Sequence, residues 1–183
     1  MNVTPDLDAQ FRAAALGEGL VDVRYDVVDS PVGELRIAAT DRGLCRISYF
    51  GEDFEDQLAR TFGVRVLRSP LDEVRRELDE YFEGTRRSFD LPLDLRVAPF
   101  YADVLRELAQ VPYGRTDTYG ALAAKVGRPR AARAVGTVMN RNPIPIVLPC
   151  HRIVGANGAL TGYAGGLDVK RHLLQLEGAT LAA

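Results

Sequence analysis

The segment from Thr118 to Asn140, TYGALAAKVGRPRAARAVGTVMN, decides how the second half of the chain is expected to fold. Thr118 comes directly before a helical run, where its hydroxyl can accept a hydrogen bond from the first turn as an N-cap. Gly127 and Pro129 interrupt the run, and a second helix is predicted from about Arg130 to Asn140. Two short helices around a glycine-containing turn are typical of a helix-turn-helix, although any hairpin of two helices has a similar pattern.

The second helix of this segment carries one long side chain among small ones. Arg133 reaches out from a stretch that contains Ala131, Ala132, Ala134 and Gly136. Small residues let a helix backbone approach a partner closely, and that partner is either a nucleic acid or a neighbouring helix of the same protein. The pattern alone favours neither.

Charge is distributed unevenly along the chain. A formal net charge of −2 argues against a generally basic nucleic-acid-binding protein. From Thr118 to Leu167, however, there is no Asp or Glu, and the basic residues give the segment a charge of +6: Lys125, Arg128, Arg130, Arg133, Arg141 and Arg152. A phosphate backbone binds to such a local basic surface, and chance clustering on a solvated face is the alternative.

A second segment, IPIVLPCHRIVG from Ile144 to Gly155, carries the candidate chemistry. It places Cys150 between a proline and a His-Arg pair. The thiolate is the nucleophilic form of cysteine, and a neighbouring imidazole such as His151 or a cation lowers the thiol pKa enough to supply it. A cysteine hydrolase or acyltransferase is one alternative interpretation, and a non-catalytic DNA-binding regulator with an inert Cys150 is another.

The C-terminal segment predicts a short strand after Cys150, a hairpin turn at Asn157-Gly158 and a glycine-rich loop, ALTGYAGG. A final helix is expected from Asp168, as N-cap, to Glu177, with Gly178 beyond its end. Glu177 breaks a rule, because a carboxylate in the last turn faces the negative end of the helix dipole. Either it is solvated, or it is held there to orient a cationic or imidazole-like group.

The first half predicts a small antiparallel sheet and one helix. Strands are expected in VRYDVVD and ELRIAAT, around the turn at Ser30 to Gly33, and in LCRISYF. A helix should begin at Ser69-Pro70 and end before Gly84, with a buried face formed by Leu71, Val74, Leu78 and Tyr81. Residues 1–22 hold one short amphipathic helix candidate without an assigned function. The segment SFDLPLDLRVAP is an expected extended connector, followed by a helix from Pro99 to Gln110.

Composition places the chain among ordinary soluble globular proteins, with 46% apolar and 26% charged residues in 183. The apolar runs are too short to cross a bilayer, and the N-terminus lacks an apolar signal segment, so a cytoplasmic location without membrane contact is expected. Cys45, Cys150, His151 and His172 lie too far apart to match a zinc signature. Neither a metal nor a cofactor is predicted.

These motifs together resemble the O6-alkylguanine-DNA alkyltransferases, also called methylated-DNA-protein-cysteine methyltransferases. The resemblance is carried by PCHR after Asn142-Pro143-Ile144, by the helix-turn-helix with Tyr119 and Arg133, and by GYAGG before the Glu-Gly helix end. It is strongest from Val111 to Gly178 and extends more weakly back to Ser30. Unlike many family members, the chain lacks the tryptophan of an F-x-x-x-V-W pattern, and its first half lacks the ligands with which some relatives bind zinc.

The resemblance implies an α+β fold and three regions. Residues 1–22 would be an extension, 23–94 an RNase H-like domain with a small antiparallel sheet and a helix, and 95–183 a mainly helical domain with a winged helix-turn-helix and the cysteine loop. The implied function is stoichiometric, irreversible transfer of an alkyl group from O6 of guanine, and from O4 of thymine, to Cys150. The implied partner is double-stranded DNA, which the protein would bind in the minor groove with the damaged base flipped out of the helix. The protein would act as a monomer, and clustering of several copies on DNA is left open.

Individual roles follow from the same resemblance. Cys150 would accept the alkyl group, His151 would activate it through a water molecule, and Glu177 would orient His151. Asn142 would brace the cysteine loop, and Tyr119 would crowd the target phosphate and protonate the departing guanine. Arg133 would replace the flipped base in the stack. The residues expected to bind DNA are Arg133, Ala131, Ala132, Ala134, Gly136, Arg130 and Thr118. The residues expected to line the guanine pocket are Met139, Ile153, Tyr163 and Ala164.

Overall fold

The fold is described for residues 5–49 and 53–180 in a computed structural model. Its strands are β1 (Val23–Val28), β2 (Leu35–Thr40), β3 (Gly43–Ser48), β4 (Val66–Arg68), β5 (Asp117–Thr118) and β6 (Ile153–Val154). Its helices are α1 (Pro5–Gly17), α2 (Phe54–Phe62), α3 (Asp72–Phe82), α4 (Pro99–Leu108), α5 (Tyr119–Lys125), α6 (Ala132–Asn140) and α7 (Leu167–Leu176), with a 3₁₀ turn at Cys150–Arg152. The predicted α+β class is confirmed.

The sheet of the first half has four strands in the order β3-β2-β1-β4. The three predicted strands pair antiparallel, with Asp26 opposite Ile37 on β1 and β2. The expectation of a purely antiparallel sheet was wrong, because a fourth strand, β4, pairs in parallel with β1 at the edge of the sheet, with Tyr25 opposite Arg68. A parallel neighbour requires a crossover connection, and α2, which was not predicted, provides it.

Helix α3 begins later than the sequence indicated. The predicted N-cap at Ser69 was wrong: its backbone N–H donates to the Tyr25 carbonyl at 2.9 Å, so the chain stays extended alongside β1 until Leu71. The predicted buried face is confirmed, because Leu71, Val74, Leu78 and Tyr81 are all buried. Gly84, with a φ of +75°, follows the end of the helix as expected.

The two helices predicted for the helix-turn-helix are present as α5 and α6. The Thr118 hydroxyl accepts a hydrogen bond from the Ala121 N–H at 3.1 Å, as an N-cap does. Helix α6 begins at Ala132 and not at Arg130, because Arg130 belongs to a turn that the Ala131 N–H closes on the Arg128 carbonyl at 2.8 Å.

The segment after Cys150 differs from its prediction in two respects. The chain does turn at Asn157-Gly158, but no strand follows among the described residues, and β6 pairs in parallel with β5. Helix α7 begins at Leu167 with Gly166 as N-cap, so Asp168 is a first-turn residue whose carboxylate pairs with Arg171 at 2.7 Å. The predicted hairpin and the predicted Asp168 cap were therefore wrong.

One hydrophobic core joins the two halves of the chain. It contains residues of the sheet and α3, such as Ile37 and Tyr81, together with residues of the helical half, such as Leu105, Val135 and Cys150. A smaller cluster on the other side of the sheet contains Val23, Ala38, Cys45, Phe54 and Leu58. No helix in the described part of the chain combines the length and apolar character of a membrane span.

Candidate active site

The loop before Cys150 is held by the side chain of Asn142. Its amide Nδ2 donates to the Leu148 carbonyl at 2.8 Å, and its Oδ1 accepts from the Ile144 N–H at 3.1 Å. Within this loop Ile146 has a φ of +75°, which a β-branched residue rarely adopts. Asn142 therefore fastens both ends of a strained loop whose last residues lead into Cys150.

Cys150 opens the 3₁₀ turn and is buried. Burial raises the pKa of its thiol to about 11, while a hydrogen bond from Asn142 and the charge of Lys170 act in the opposite direction. The expected neighbour-activated thiolate is therefore not the resting form, and at neutral pH the sulfur carries a proton. A base is needed to remove that proton when the sulfur reacts.

His151, the residue after Cys150, is the candidate for that base. Its Nε2 lies 2.9 Å from Oε1 of Glu177, and its Nδ1 is buried without a hydrogen-bond partner in the described structure. Burial lowers the pKa of His151 despite the opposing effect of Glu177, so the ring is neutral at pH 7. An ionised carboxylate only accepts, so the hydrogen-bond network assigns the ring proton to Nε2 and leaves a basic lone pair on Nδ1.

Glu177 follows the last turn of α7 and is only 5% exposed, so the alternative of a solvated carboxylate was wrong. Burial would raise its pKa, but hydrogen bonds from His151 and Arg152 outweigh burial and hold the pKa at about 2. Besides His151, its oxygens accept from Tyr81 Oη (2.8 Å), Arg152 Nη2 and Nε (both 2.9 Å) and the Gly114 N–H (3.2 Å). The carboxylate is thus a fixed anion that orients the imidazole.

Arg152 was counted with the basic surface, and that assignment was wrong. Its side chain is buried against Glu177, and its Nη1 donates to the Val111 carbonyl at 2.6 Å. Lys125 is also paired, with Asp117 at 2.8 Å. The exposed arginines of the segment are Arg128, Arg130, Arg133 and Arg141.

Lys170 is a site residue that sequence reasoning missed. It is fully buried, and its Nζ donates to the carbonyls of Ile153 (2.6 Å) and Thr161 (3.0 Å). Burial lowers its pKa to about 8. A signal was present, because Lys170 shares a spacing of three, four and seven residues with Leu173, Leu174 and Glu177, which places all four on the buried face of α7.

A groove of about 360 Å³ lies between helix α6 and the loop after β6, lined by Tyr119, Ala132, Arg133, Gly136, Asn140, Thr161 and Gly162. Thr161 donates its hydroxyl to Tyr119 Oη at 2.9 Å, which ties the loop to the first residue of α5. A Cβ on Gly136 would lie 3.9 Å from the Tyr119 ring. The predicted residues Tyr119, Ala132, Arg133 and Gly136 are therefore brought together in this groove.

The other predicted DNA-binding residues do not line the groove. Arg130 and Ala131 precede α6, Ala134 is exposed on α6, and the Thr118 hydroxyl is used as the N-cap of α5. Of the predicted pocket residues, Met139 and Ile153 are buried in the same core cluster as Cys150, and Tyr163 packs against that cluster. Ala164 is exposed and lines a separate cavity beside the cysteine loop.

Two family models match nearly all of the chain after residue 22. Residues 23–95 match the ribonuclease-like domain of 6-O-methylguanine DNA methyltransferase, and residues 99–179 match the DNA binding domain of the same family. The chain belongs to the 6-O-methylguanine DNA methyltransferase family. Helix α1 precedes the first matched residue; its Arg12 Nη1 donates to the Arg68 carbonyl on the edge strand β4.

Individual relatives in this methyltransferase family are similar over most of their length. The methylated-DNA--protein-cysteine methyltransferase of Methanosarcina barkeri is 40% identical over 162 residues, which cover 84% of this chain and 96% of that protein. The constitutive enzyme of Bacillus subtilis is 41% identical over 155 residues, covering 84% and 94%. The crystal structure of Mycobacterium tuberculosis OGT in complex with DNA has a TM-score of 0.77 at 38% identity, covering 85% of this chain and 92% of that one.

Proposed function

We propose that this protein repairs alkylated DNA directly, by moving the alkyl group from O6 of guanine, and from O4 of thymine, onto the sulfur of Cys150. One observation carries the proposal: a buried thiol is followed in sequence by a neutral His151, whose bare Nδ1 is set by the ionised Glu177. Membership of the 6-O-methylguanine DNA methyltransferase family supports the substrate class.

The proposed reaction is a displacement at a saturated carbon. Nδ1 of His151 takes the Cys150 proton through a water molecule, and Glu177 stabilises the imidazolium that forms. The sulfur then forms its bond to the alkyl carbon while the bond from that carbon to O6 breaks. The departing guanine takes up a proton from Tyr119, and solvent carries a proton from the imidazolium to the tyrosinate, so that the net change is one proton from the thiol to the base. Because no tetrahedral oxyanion forms, no oxyanion hole is required.

DNA binding is assigned to the groove beside α6. The small residues Ala131, Ala132, Ala134 and Gly136 let the helix enter the minor groove, where Arg133 takes the place of the flipped nucleotide in the base stack. Flipping is necessary because a stacked base cannot reach a buried thiol, and it costs a few kcal/mol that the inserted arginine offsets. The flipped base would lie among Met139, Ile153, Tyr163 and Ala164, with the protein acting as a monomer.

Each chain is expected to react once. Transfer produces a thioether, which water does not hydrolyse and which another thiol does not exchange. Cys45, the other cysteine, is buried in the sheet cluster and is not placed to carry the group onward. No cofactor takes part, and two free cysteines suit the reducing conditions of the cytoplasm, where we place the reaction.

Peptide mass after reaction tests the proposal. The protein is incubated with excess duplex containing O6-methylguanine, and the Cys150 peptide should gain the mass of one CH₂ group, with one equivalent of repaired base per chain. The Cys45 peptide is the internal control, and Cys150→Ser should repair nothing. Product beyond one equivalent would favour a cysteine hydrolase or acyltransferase, and binding without any mass change would favour a DNA-binding regulator.

A further inference from the structure

Strand β3 of the first half ends against the active-site region of the second half. The Ile47 N–H donates to the Pro143 carbonyl at 2.9 Å, which ties the strand to the start of the cysteine loop. Tyr49 lies directly after this strand and is only 7% exposed. The end of β3 therefore reaches the loop that contains the proposed guanine-pocket residue Tyr163.

Tyr49 and Tyr163 make a specific contact. Their hydroxyl oxygens are 2.6 Å apart, and their rings meet edge to face with centroids 5.7 Å apart. Burial raises the pKa of both phenols, and a thiolate at Cys150 would raise them further. Both phenols therefore stay protonated in the neutral range and keep their hydrogen bond.

The ring of Tyr49 also fixes the position of the glycine-rich loop. A Cβ built on Gly165 would lie 2.9 Å from a carbon of the Tyr49 ring, closer than side chains pack. The loop backbone thus lies directly on the ring, while the Tyr163 hydroxyl is held at its edge. A side chain larger than that of glycine at position 165 would push the loop away from Tyr49.

Beside these contacts the packing is open. A cavity of about 480 Å³ is lined by Tyr49, Asn142, Pro145 and Ala164, among others. The loop has room to move into this space if its contact with Tyr49 is lost. Tyr163 is therefore held by the hydroxyl pair as well as by close packing.

We propose that Tyr49 is a positioning residue for the guanine pocket: it holds the ring and hydroxyl of Tyr163 in the orientation that receives the flipped base. The inference rests on the proposed function and adds to it a residue from the first half of the chain. Tyr49 acts through Tyr163 and the loop backbone at Gly165, and it does not touch the alkyl group.

The test is Tyr49→Phe, which removes the hydroxyl and keeps the ring against Gly165. Tyr25→Phe is the matched control, because the Tyr25 hydroxyl also makes a 2.6 Å hydrogen bond in the same sheet, to Glu55. Methyl transfer from an O6-methylguanine duplex should slow about two- to tenfold in Tyr49→Phe, the range expected for one lost hydrogen bond, and stay unchanged in Tyr25→Phe. Alkylation of Cys150 by iodoacetamide, which needs no guanine pocket, should proceed at the wild-type rate in both variants.

A double-mutant cycle with Tyr163→Phe separates positioning from general loosening. If Tyr49 acts through Tyr163, adding Tyr49→Phe to Tyr163→Phe should cause no further slowing. The inference is overturned by an equal slowing in both backgrounds, by wild-type transfer in Tyr49→Phe, or by a changed iodoacetamide rate. A wild-type protein that accepts no alkyl group in this assay would refute the proposed function itself and the inference with it, whereas the other outcomes refute the inference alone.

Discussion

The surroundings of Cys45 and Cys150 differ in electrostatic character although both thiols are buried. Burial and the nearby carboxylate of Asp94 raise the pKa of Cys45 to about 12, against the smaller opposing effects of Arg96 and Arg46. Burial raises the pKa of Cys150 to about 11, but the Asn142 amide and the Lys170 cation oppose the increase. Burial therefore does not distinguish the two thiols; the neighbouring groups do, because a carboxylate lies near Cys45, whereas an amide, a lysine and His151 lie near Cys150.

The largest expected effect comes from removing the anion of the Cys150 region with Glu177→Gln. The variant leaves Arg152 buried without its counterion, which should lower the free energy of unfolding by about 3–5 kcal/mol. His151 loses the group that orients it and stabilises its protonated form, so transfer should slow on the order of 10²–10⁴-fold. Urea unfolding and the pH–rate profile measure the two effects. Glu83→Gln, at an exposed carboxylate, is the control, and an unchanged pH–rate profile would contradict the assignment.

The same carboxylate gives stability a defined pH dependence. Its folded-state pKa of about 2 lies below its ordinary value of 4.5. A depressed carboxyl pKa contributes stability that is complete above the unfolded pKa and is lost as the pH falls toward the folded one. Acidification from about pH 6 to about pH 3 should therefore destabilise the wild type more than Glu177→Gln. If the free energy of unfolding fell equally with pH in the wild type and in Glu177→Gln, Glu177 would not be the carboxylate with the lowered pKa.

Arg133→Ala should impair flipping of the damaged base out of the duplex without impairing alkyl transfer to Cys150. Repair of O6-methylguanine in a duplex should slow about tenfold or more, because the unstacking cost of a few kcal/mol is no longer offset. Reaction with free O6-benzylguanine should be nearly unaffected, since no base has to leave a stack. Arg171→Ala, which removes another exposed arginine, is the control. Equal losses on both substrates would contradict the role of Arg133.

Methylation of Cys150 should destabilise the protein by a smaller amount. Cys150 is 3% exposed and follows a loop fixed by Asn142, Pro145 and Pro149, so an added methyl group should overpack its surroundings and cost about 1–3 kcal/mol of stability. Calorimetry of the reacted protein, freed of DNA, should show a lower melting temperature. Cys150→Ser treated in the same way should show no change. A melting temperature that stays constant or rises would indicate that the site already holds space for the group.

The smallest expected effect concerns the cation near Cys150. Lys170→Met removes a charge that lowers the pKa of the thiol, so iodoacetamide should label Cys150 a few-fold more slowly at neutral pH. Because the pKa of Lys170 is about 8, the wild type and the variant should converge as the pH rises above that value. Lys125→Met removes the only other lysine and should label normally. Faster labelling of Cys150 in Lys170→Met would contradict the conclusion that the Lys170 charge lowers the pKa of the Cys150 thiol.

Periodic elements were predictable from the sequence because one buried face fixes both their type and their extent. The apolar spacing of α3 and the alternation of β1 to β3 are examples. Strand β4 has three residues and no alternation, so only its pairing with β1 reveals it. The hairpin predicted after β6 was wrong because the strand that pairs with β6 is β5, which is far away in sequence and cannot be recognised from a local pattern.

The buried location of the charged side chains in the site was poorly predicted from the sequence. Arg152 and Lys170 are of residue types that usually lie at the surface. The partner of Arg152 is a carboxylate 25 residues away, and the partners of Lys170 are the carbonyls of Ile153 and Thr161. Glu177 was noticed because it violates the helix dipole preference, a local rule that one sequence is sufficient to test. The division into regions 1–22, 23–94 and 95–183 and the roles of the site residues stay predictions.

The hydrogen bond from Tyr81 to Glu177 has a consequence for exchanging parts between proteins. Tyr81 belongs to α3, and Glu177 belongs to the end of α7, so the two halves of the chain complete one carboxylate. A chimera that takes its second half from this chain and its first half from elsewhere inherits Glu177 with a missing donor, unless the new half brings a hydroxyl to the same place. The compatibility of two such halves therefore depends on a donor at the position of the Tyr81 hydroxyl as well as on the shared core.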